Sequence, residues 1–414
     1  MSSLTPLPEA PDMLPATTDV LVVGAGVMGA WTALRALEAG HTVTLIDAWG
    51  TGHPRATSSD ETRIMRCAYG DDRLMTTWAM RARDAWLAAG AAWGLPLLVT
   101  NGVLWFARHE GGFEDASLVM LEGLGEPVER LSVQELTARW PQISDGGDVR
   151  QALWEPNAGT LMARRGVQAT VAAFQHAGGR YALAGARPGH TDRDRLLDVV
   201  DQSGRRWSAG SVVFACGPWL PKVWPELLGG RIRVTKQDVV SFGPPAGDAS
   251  LRSEALPTWV DYDHAYYGFP TFDDRGFKVG PDRYGPVFDP SHGERVVDPE
   301  SIRLARDYLR LRFPAMADAP VVETRVCQYE RSVDGQFILD RHPDLTNVWI
   351  AGGGSGHAFK HGPMIGAYLA ARLDGGSDAD AGGAGDDRFA LTARVPRDAG
   401  RTGGDTITES WGLF

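Results

Sequence analysis

The sequence predicts an α/β protein with an α+β part: a Rossmann-like nucleotide-binding domain and an inserted antiparallel-sheet domain that would hold a substrate. Two apolar runs, at residues 19–24 and 347–352, each enter a glycine-rich turn that precedes a helix-like segment. Between them, residues 231–290 are rich in aromatic residues and turn signals, as is typical of antiparallel strands. We therefore expect nucleotide-binding segments at both ends of the chain to enclose a second domain.

The predicted elements follow the chain in order. Apolar spacing and good helix formers predict helices over residues 27–39, 72–93, 132–139, 301–312 and 363–373. Apolar runs that end at glycine or another turn signal predict strands over residues 19–24, 41–47, 102–107, 211–216 and 347–352. Ser132 precedes Glu135 by three residues, which is the spacing of a capping box, so we expect that helix to begin at Ser132.

The order of these elements indicates how the chain is divided. We predict a discontinuous nucleotide-binding domain that comprises residues 18–100, 150–225 and 321–376. The inserted substrate domain would comprise residues 101–149 and 226–320, and residues 377–414 would form a peripheral C-terminal tail. Residues 374–387 contain only Gly, Asp, Ala and Ser, which is the composition of a solvated linker.

Composition and charge exclude several classes of protein. The 414 residues carry 41 Lys and Arg against 52 Asp and Glu, a net charge of −11, whereas a nucleic-acid binder has a basic footprint. No stretch approaches the roughly 18 consecutive apolar residues of a membrane span, so we expect neither nucleic acid nor membrane as a partner. Three cysteines, Cys67, Cys216 and Cys327, are too few for a disulfide framework, which favours the reducing cytoplasm.

The first glycine motif lies where the first predicted strand meets the first helix. It reads Gly24-Ala-Gly26-Val27-Met28-Gly29, and Asp47 ends the next strand about 20 residues later. Glycines at such positions let backbone N–H groups approach a pyrophosphate, and the acid accepts ribose hydroxyls. We therefore predict that this segment binds a dinucleotide. A structural glycine turn is the alternative, and the motif alone does not separate NAD from FAD.

A second glycine turn follows residues 347–352 and contains Gly354, Ser355, Gly356, His357 and Lys360. Backbone N–H groups at a helix N-terminus there would favour negative charge on a cofactor, although a loop that needs small residues for packing is the alternative. A G-x-S-x-G nucleophile elbow is excluded, because His357 stands where its last glycine would be. His357 and His361 are four residues apart, but no third ligand lies nearby in the sequence, so we predict no metal site.

Cys327 lies in a third block, Cys327-Gln-Tyr329-Glu330, and a lone cysteine is most often a small buried hydrophobe. With this block, however, the chain resembles the monomeric sarcosine oxidase and N-methyltryptophan oxidase family, within the D-amino-acid-oxidase group of flavoproteins. The blocks that agree in order and spacing are residues 20–47, 61–70, 154–161, 266–280 and 327–343 with 347–363. The resemblance implies FAD rather than NAD, and oxidation of an α-amino or imino acid by O₂ to an imine and H₂O₂.

The resemblance assigns cofactor roles to individual residues. Cys327 occupies the position that holds the flavin covalently through a thioether, and Lys278 matches a lysine close to the flavin that activates oxygen. Arg63 matches a basic residue beside the flavin ring, and we expect Tyr267, Lys278 and Arg63 to be the catalytic residues. The two glycine turns, with His357 and Lys360, would contact the rest of the FAD, so the resemblance makes the nucleotide-binding domain an FAD-binding domain.

The resemblance also assigns the substrate pocket. Arg66 and Lys360 match the pair that binds the substrate carboxylate, a role that suits a guanidinium fork beside an ammonium. Tyr267 and Tyr329 match aromatic residues that line the pocket. Without the resemblance, Arg63 and Arg66 would be interpreted as part of a solvated helix face, and Tyr267 as a core residue.

Several positions depart from the family pattern. Asp282 stands where sarcosine oxidase has a histidine four residues after the lysine, and Thr258 stands where it has a methionine nine residues before the pocket tyrosine. Ser58 and Ser59 replace a pair of histidines. We infer that the amine end of the pocket is rebuilt, with Asp282 and Thr258 as substrate-binding candidates, and that a larger N-alkyl amino acid or a cyclic imino acid is at least as good a candidate as sarcosine. Asp282 would pair with a cationic amine, or else lie in a surface turn.

We therefore expect an FAD-dependent oxidase of a secondary α-amino acid or a cyclic imino acid of the pipecolate or proline kind. Its partners would be this small molecule and O₂, and it would be a monomer or a small homo-oligomer. Two other classes stay open: a flavin dehydrogenase or biosynthetic tailoring enzyme with another electron acceptor, and a non-catalytic flavoprotein or oxidase subunit. A flavin monooxygenase is not favoured, because the Gly-Asp motif typical of that class is missing from the second glycine turn.

Overall fold

Two eight-stranded sheets and a three-stranded sheet organise the chain in the computed structural model, which describes residues 17–376 and 387–391. Its helices are α1 (Val27–Glu38), α2 (Arg73–Trp93), α3 (Phe113–Gly123), α4 (Val133–Arg139), α5 (Ala163–His176), α6 (Leu220–Val223), α7 (Pro225–Leu228), α8 (Pro299–Arg312) and α9 (Gly362–Leu373). Its strands are β1 (Thr17–Val23), β2 (Val43–Asp47), β3 (Thr62–Met65), β4 (Leu98–Val99), β5 (Val103–Ala107), β6 (Glu129–Ser132), β7 (Gln151–Glu155), β8 (Gly159–Met162), β9 (Arg180–Leu183), β10 (Ala186–Pro188), β11 (Thr191–Asp192), β12 (Arg195–Leu196), β13 (Val199–Asp201), β14 (Arg206–Phe214), β15 (Ile232–Phe242), β16 (Thr258–Asp261), β17 (Tyr266–Phe269), β18 (Phe277–Pro281), β19 (Val321–Ser332), β20 (Ile338–Arg341) and β21 (Val348–Gly352).

The first sheet has a parallel centre. Its hydrogen bonds give the order β9–β2–β1–β14–β21, with all four pairs parallel and β20 antiparallel at the β21 edge. Val20 to Val23 are buried on both faces of β1, as expected for a central strand of a parallel sheet. The buried face of α1 packs against β2, α5 and α9. This arrangement confirms the predicted Rossmann-like part and its first strand–turn–helix–strand unit.

The second sheet has the order β19–β15–β18–β17–β16–β5–β7–β6. Its pairs are antiparallel except β5 with β16, so the predicted antiparallel sheet is confirmed with one parallel exception. The two strands of that pair are separated by some 150 residues of chain rather than by a hairpin, which leaves their relative direction free. Helix α8 covers one face with its apolar residues, among them Ala305 and Leu309.

Two strands belong to a different domain from the one that the sequence predicted for them. Strand β7 pairs with β5 and β6, and β19 pairs with β15 over nearly its whole length. Both lie in the second sheet, which corrects the assignment of residues 151–155 and 321–332 to the nucleotide-binding part. The sequence placed these segments by their neighbours along the chain, whereas strand membership depends on hydrogen bonds to distant partners.

The smaller elements follow local rules. Strands β3 and β4 both pair antiparallel with β8, which leads directly into α5. The predicted capping box is confirmed at the start of α4, where Ser132 Oγ accepts from Glu135 N and the Glu135 carboxylate accepts from Ser132 N. Among the described residues, no helix combines the length and the apolarity that crossing a membrane requires.

Part of the predicted peripheral tail is a core segment. Phe389 is fully buried, and its ring centroid lies 5.1 Å from that of Trp78 and 5.7 Å from that of Tyr368. Arg388 binds the carboxylate of Asp72 at 2.8 Å. Residues 387–391 therefore dock on the body of the protein, which corrects that part of the prediction. The remainder of the predicted linker and tail, residues 377–386 and 392–414, lies outside the described residues.

Candidate active site

A cavity of about 380 Å³ is lined by residues of both large sheets and of both glycine turns. This volume lies within the range of about 300–1,000 Å³ that is typical of small-molecule sites. The predicted site residues in its lining are Gly24, Gly26, Val27, Met28, Asp47, Arg63, Arg66, Tyr267, Asp282, Cys327, Tyr329, Gly354, Gly356, His357 and Lys360. The structure therefore brings together most of the residues that the sequence singled out. Gly29, Thr258, Lys278 and Ser355 are not in its lining.

The first glycine turn needs its glycines for close backbone packing. Gly24 has a φ of +109°, and a Cβ there would lie 2.3 Å from the carbonyl oxygen of Ala215. A Cβ on Gly29 would lie 1.9 Å from the carbonyl oxygen of Gly24, so the absence of a side chain at Gly29 allows the helix to pack closely against the turn. Ser58 Oγ accepts a hydrogen bond of 3.0 Å from Val27 N in the first turn of α1.

Asp47 closes this turn from the end of β2. Its Oδ2 accepts from Ala25 N at 2.8 Å, while its Oδ1 accepts from Trp49 N and Gly50 N at 2.9 and 2.8 Å. The ring of Trp49 lies 4.6 Å from that of Trp219, and both tryptophans line the cavity. This end of the cavity therefore combines glycine backbone, a carboxylate and an aromatic pair.

The second glycine turn is fastened to β19. Ser355, at a φ of +47°, donates through Oγ to the Gly353 carbonyl at 2.9 Å and accepts from Ser332 N at 3.2 Å. Gly354 N donates to Glu330 Oε1 at 3.3 Å, and Glu330 Oε2 has no partner among the described residues. Burial raises the pKa of Glu330 to about 8, so this carboxyl group is mostly protonated at neutral pH.

Arg63 and Cys327 meet on facing strands. Arg63 Nη2 lies 3.7 Å from Cys327 Sγ and donates to the Thr57 carbonyl at 2.6 Å, while Nη1 donates to Asp60 Oδ2 at 3.0 Å. Burial opposes the charge of Arg63, but Cys327 and Asp60 raise its pKa above the usual value. Arg63 is thus a fixed cation on β3 beside the sulfur of Cys327, not part of a solvated helix face.

Lys278 lies beside the large cavity rather than in its lining. Its ammonium is buried on β18 and donates to Asp60 Oδ2 and to Thr62 Oγ1, the latter at 3.1 Å. It lines a second cavity of about 30 Å³. Asp60 and Phe269 line both cavities and separate them. Burial lowers the pKa of Lys278, and the charge of Asp60 opposes that effect.

Arg66 and Lys360 are two buried cations at the wall of the large cavity. Arg66 Nη1 donates to the Ala68 carbonyl, and its guanidinium lies 4.3 Å from the ring centroid of Tyr69. Lys360 Nζ donates to the His357 carbonyl at 3.0 Å and lies 5.0 Å from the same tyrosine ring. Burial, followed by the charge of Arg66, lowers the pKa of Lys360 well below its usual value. The pair forms a positive pocket suited to one carboxylate.

A tyrosine and two histidines lie behind this pair. Tyr69 OH lies 3.1 Å from His357 Nδ1 and 2.7 Å from His361 Nε2, and His357 Nε2 lies 3.1 Å from the Gly335 carbonyl. Burial lowers the pKa of His357 to about 3, so the ring is neutral and donates through Nε2. Tyr69 then donates to His357 and accepts from His361. The described residues contain no group of three or more His, Cys, Asp or Glu side chains that could hold a metal ion.

The remaining pocket candidates separate into two groups. Tyr267, Tyr329 and Asp282 line the large cavity, and Tyr329 OH lies 3.5 Å from Asp282 Oδ1. Asp282 therefore faces the cavity rather than a surface turn. Thr258 is fully buried, and its Oγ1 lies 2.5 Å from Thr160 Oγ1 in β8, so the structure does not bring it to the cavity. Val260, two residues along β16, lines the cavity instead.

Comparison with known proteins shows the family of the chain. The family model described as FAD dependent oxidoreductase matches residues 19–372. The chain belongs to this family of FAD-dependent oxidoreductases. It is 29% identical over 356 residues to monomeric sarcosine oxidase of Bacillus sp. (strain B-0618). The aligned residues cover 85% of this chain and 90% of the relative. It is 27% identical over 360 residues to N-methyl-L-tryptophan oxidase of Yersinia pestis (strain Pestoides F), covering 85% and 94%.

Solved structures share the fold at lower identity. L-proline dehydrogenase from P. horikoshii has a TM-score of 0.79 at 19% identity and covers 91% of this chain and 98% of its own. The open form of NikD, described as an unusual amino acid oxidase essential for nikkomycin biosynthesis, has a TM-score of 0.74 at 23% identity, with the same coverage. Both likenesses concern the fold.

The residues of the large cavity fit an FAD. The first glycine turn offers backbone beside a helix N-terminus, Asp47 stands at the neighbouring strand end, and Arg63 and Cys327 line the same cavity. Sequence reasoning missed Asp60, Glu330, Trp49 and Trp219. Asp60 directly precedes the family-like run at residues 61–70, and this was the one available signal for it. Glu330 follows Tyr329 in the block that contains Cys327, which was the signal for it, whereas Trp49 and Trp219 become visible only when their distant parts of the chain meet.

Proposed function

We propose that the protein is an FAD-dependent oxidase of a secondary α-amino acid or a cyclic imino acid. In this reaction a C–H next to the nitrogen and the N–H of the substrate are lost, an imine forms, and O₂ takes up the two electrons and two protons as H₂O₂. The observation that carries the proposal is the pair of buried cations, Arg66 and Lys360, in the wall of the same cavity as the dinucleotide-type glycine turn and Cys327. The sarcosine, N-methyltryptophan and proline named for its relatives and fold neighbours are secondary amino or imino acids.

We propose that Arg66 and Lys360 bind the substrate carboxylate. The charges of Glu155 and Asp282 both act on this pair, but Glu155 already accepts hydrogen bonds from Trp105 Nε1 and from the backbone of Cys67 and Ala68. A substrate carboxylate would add a negative charge directly beside the two basic groups and accept hydrogen bonds from their N–H groups that face the cavity. This contact fixes one end of the substrate.

We propose that the amine end lies near Tyr267, Tyr329 and Asp282. Burial raises the pKa of both tyrosines, so each keeps a neutral hydroxyl that donates and accepts. A carboxylate at Asp282 favours a cationic secondary amine over a neutral one. This end is therefore the part of the site that selects the substrate, whereas Thr258 does not contribute to it.

Bound FAD supplies the two-electron acceptor for the C–N oxidation. We propose that Cys327 holds it through a thioether, because the sulfur lines the cavity and lies 3.7 Å from the Arg63 guanidinium. Arg63 also provides positive charge at the same end of the cavity. Lys278 provides a second cation at the boundary of the large cavity, where charge develops when O₂ is reduced.

The test is a panel of α-amino and imino acids, scored for H₂O₂ production and for anaerobic bleaching of the flavin. The panel contains sarcosine, N-alkyl amino acids, proline and pipecolate, each as both enantiomers where they exist. An oxidase bleaches anaerobically with one class of substrate and forms H₂O₂ in air. Bleaching without H₂O₂, together with turnover only when an artificial acceptor is added, would instead favour a dehydrogenase. No bleaching by any member would refute the proposed reaction.

We also propose that the protein acts in the cytoplasm as a monomer or small homo-oligomer. Cys67, Cys216 and Cys327 are all unpaired, which suits a reducing compartment.

A further inference from the structure

We propose that Asp60 is a positioning residue for oxygen reduction: its carboxylate holds the Lys278 side chain as a charged ammonium at the boundary between the two cavities. This inference rests on the proposed oxidase function. It assigns a role to a residue outside the substrate and cofactor contacts described above.

Three basic side chains surround the carboxylate of Asp60. Asp60 Oδ2 accepts from Lys278 Nζ and from Arg63 Nη1, the latter at 3.0 Å, and Asp60 Oδ1 lies 3.8 Å from Arg325 Nε. Asp60 is 5% exposed, and it lines both cavities. Three cations from β3, β18 and β19 thus converge on a single buried carboxylate at the wall.

The charge balance explains why Lys278 needs this partner. Burial lowers the pKa of a lysine, and the nearby charge of Arg63 lowers it further, whereas Asp60 acts in the opposite direction. Burial opposes the charge of Asp60, but the cations hold its pKa well below its usual range, so the carboxylate is ionised at neutral and alkaline pH. The charges of Arg63, Arg325 and Cys327 act on this pair, and the charge of Asp60 acts in turn on Tyr267 and Glu323. The other charged residues that line the small cavity are Glu61, Asp273 and Arg275.

Glu61 supplies a matched control. It is the next residue, it also lines the small cavity, and it carries the same charge. Its Oε1 lies 3.1 Å from Arg164 and 3.7 Å from both Arg275 and Arg325, so its ion pairs are with arginines. Glu61→Gln therefore removes one negative charge nearby without removing the carboxylate that binds Lys278.

The first measurement is reoxidation. The flavin is reduced by dithionite, so that no substrate is needed, and mixed rapidly with aerated buffer across neutral and alkaline pH. In Asp60→Asn the reoxidation rate should fall as pH rises, by up to about tenfold per pH unit above the lowered pKa of Lys278. In the parent protein and in Glu61→Gln the fall should begin at higher pH than in Asp60→Asn, because Asp60 opposes the lowering of the pKa of Lys278, and Asp60→Glu should behave like the parent.

The second measurement is the melting temperature against pH, and it does not depend on turnover. A buried lysine without its partner binds its proton less tightly in the folded than in the unfolded state, so the free energy of unfolding rises with pH. Asp60→Asn should therefore melt higher, relative to the parent, at alkaline than at neutral pH, the opposite trend to its reoxidation rate. Asp60→Asn/Lys278→Met should lose both trends.

The inference is overturned if Asp60→Asn reoxidises like the parent at every pH, or if Glu61→Gln gives the same loss. If Asp60→Asn cannot be isolated, Asp60→Glu decides: a parental pH profile supports the role of the charge, and a pH-dependent loss overturns it. Failure of every substrate in the panel would refute the oxidase reaction but leave both measurements interpretable, because neither one uses substrate.

Discussion

Binding of a carboxylate between Arg66 and Lys360 should take up a proton. Burial and the charge of Arg66 hold the pKa of Lys360 well below its usual value, and a bound carboxylate raises it again. At a pH between these two values, the amine is neutral in the free site and charged in the complex. The dissociation constant should therefore rise with pH, by up to about tenfold per unit, over that interval.

Acetate is a suitable probe, because it has a carboxylate and no amine to oxidise. Its dissociation constant is measured from the change in flavin absorbance at a series of pH values. Lys360→Met should weaken binding and abolish the part of the slope that the amine causes. A charge-assisted hydrogen bond contributes about 1.5–3 kcal/mol, so the loss at neutral or lower pH should be roughly 10- to 150-fold.

Arg66→Ala gives a second, different outcome. It should weaken the binding of acetate by a similar factor, since it also removes a charge-assisted hydrogen bond. Without Arg66, however, the pKa of Lys360 is lowered less, so the interval of proton uptake should move to higher pH. The reasoning is refuted if the parent shows no slope, or if Lys360→Met keeps the parental slope.

Three further predictions concern the tether, oxygen and the C-terminal segment. Cys327→Ser should release all its flavin into the supernatant on acid denaturation, whereas the parent should keep its colour with the precipitate; a colourless parental precipitate would exclude the thioether. Lys278→Met should slow reoxidation about 100-fold or more while substrate still reduces the flavin at a comparable rate, and near-normal reoxidation in rapid mixing would count against this role. Phe389→Ala should lower the free energy of unfolding by about 3–5 kcal/mol in urea melts, because the ring is fully buried, whereas the exposed Val119→Ala should change it by less than about 0.5 kcal/mol.

Local signals in the sequence predicted the parallel sheet and its glycine turns. The motif at residues 24–29 predicts a strand, a tight turn and a helix, because a side chain at Gly24 or Gly29 would collide with backbone. The membership of β7 and β19 in the second sheet was not predictable in the same way. Both strands are defined by partners far away in the chain, and apolar spacing carries no information about which partner a strand takes.

In the candidate site, too, the sequence identified individual residues but not all of their contacts. Arg66, Lys360 and Cys327 were identified through the family resemblance, and the structure brings all three to the wall of one cavity. Lys278 was expected to lie close to the flavin, and in the structure the carboxylate of Asp60 binds its ammonium at the boundary of that cavity. Sequence patterns report single positions, whereas the direction of a buried ammonium is decided by the nearest opposite charge.

The docking of Phe389 has a practical consequence for producing the protein. The family match ends at residue 372, so a gene trimmed to that boundary would delete Phe389 and its contacts. The ring touches Trp78 and also Phe337, whose own ring lies 4.8 Å from His357 behind the carboxylate pocket. A shortened chain would thus expose the rings of Trp78 and Phe337, which Phe389 covers in the untruncated chain. Purification tags are better placed at the N-terminus, and a truncated protein with low turnover should not be taken as evidence against the activity.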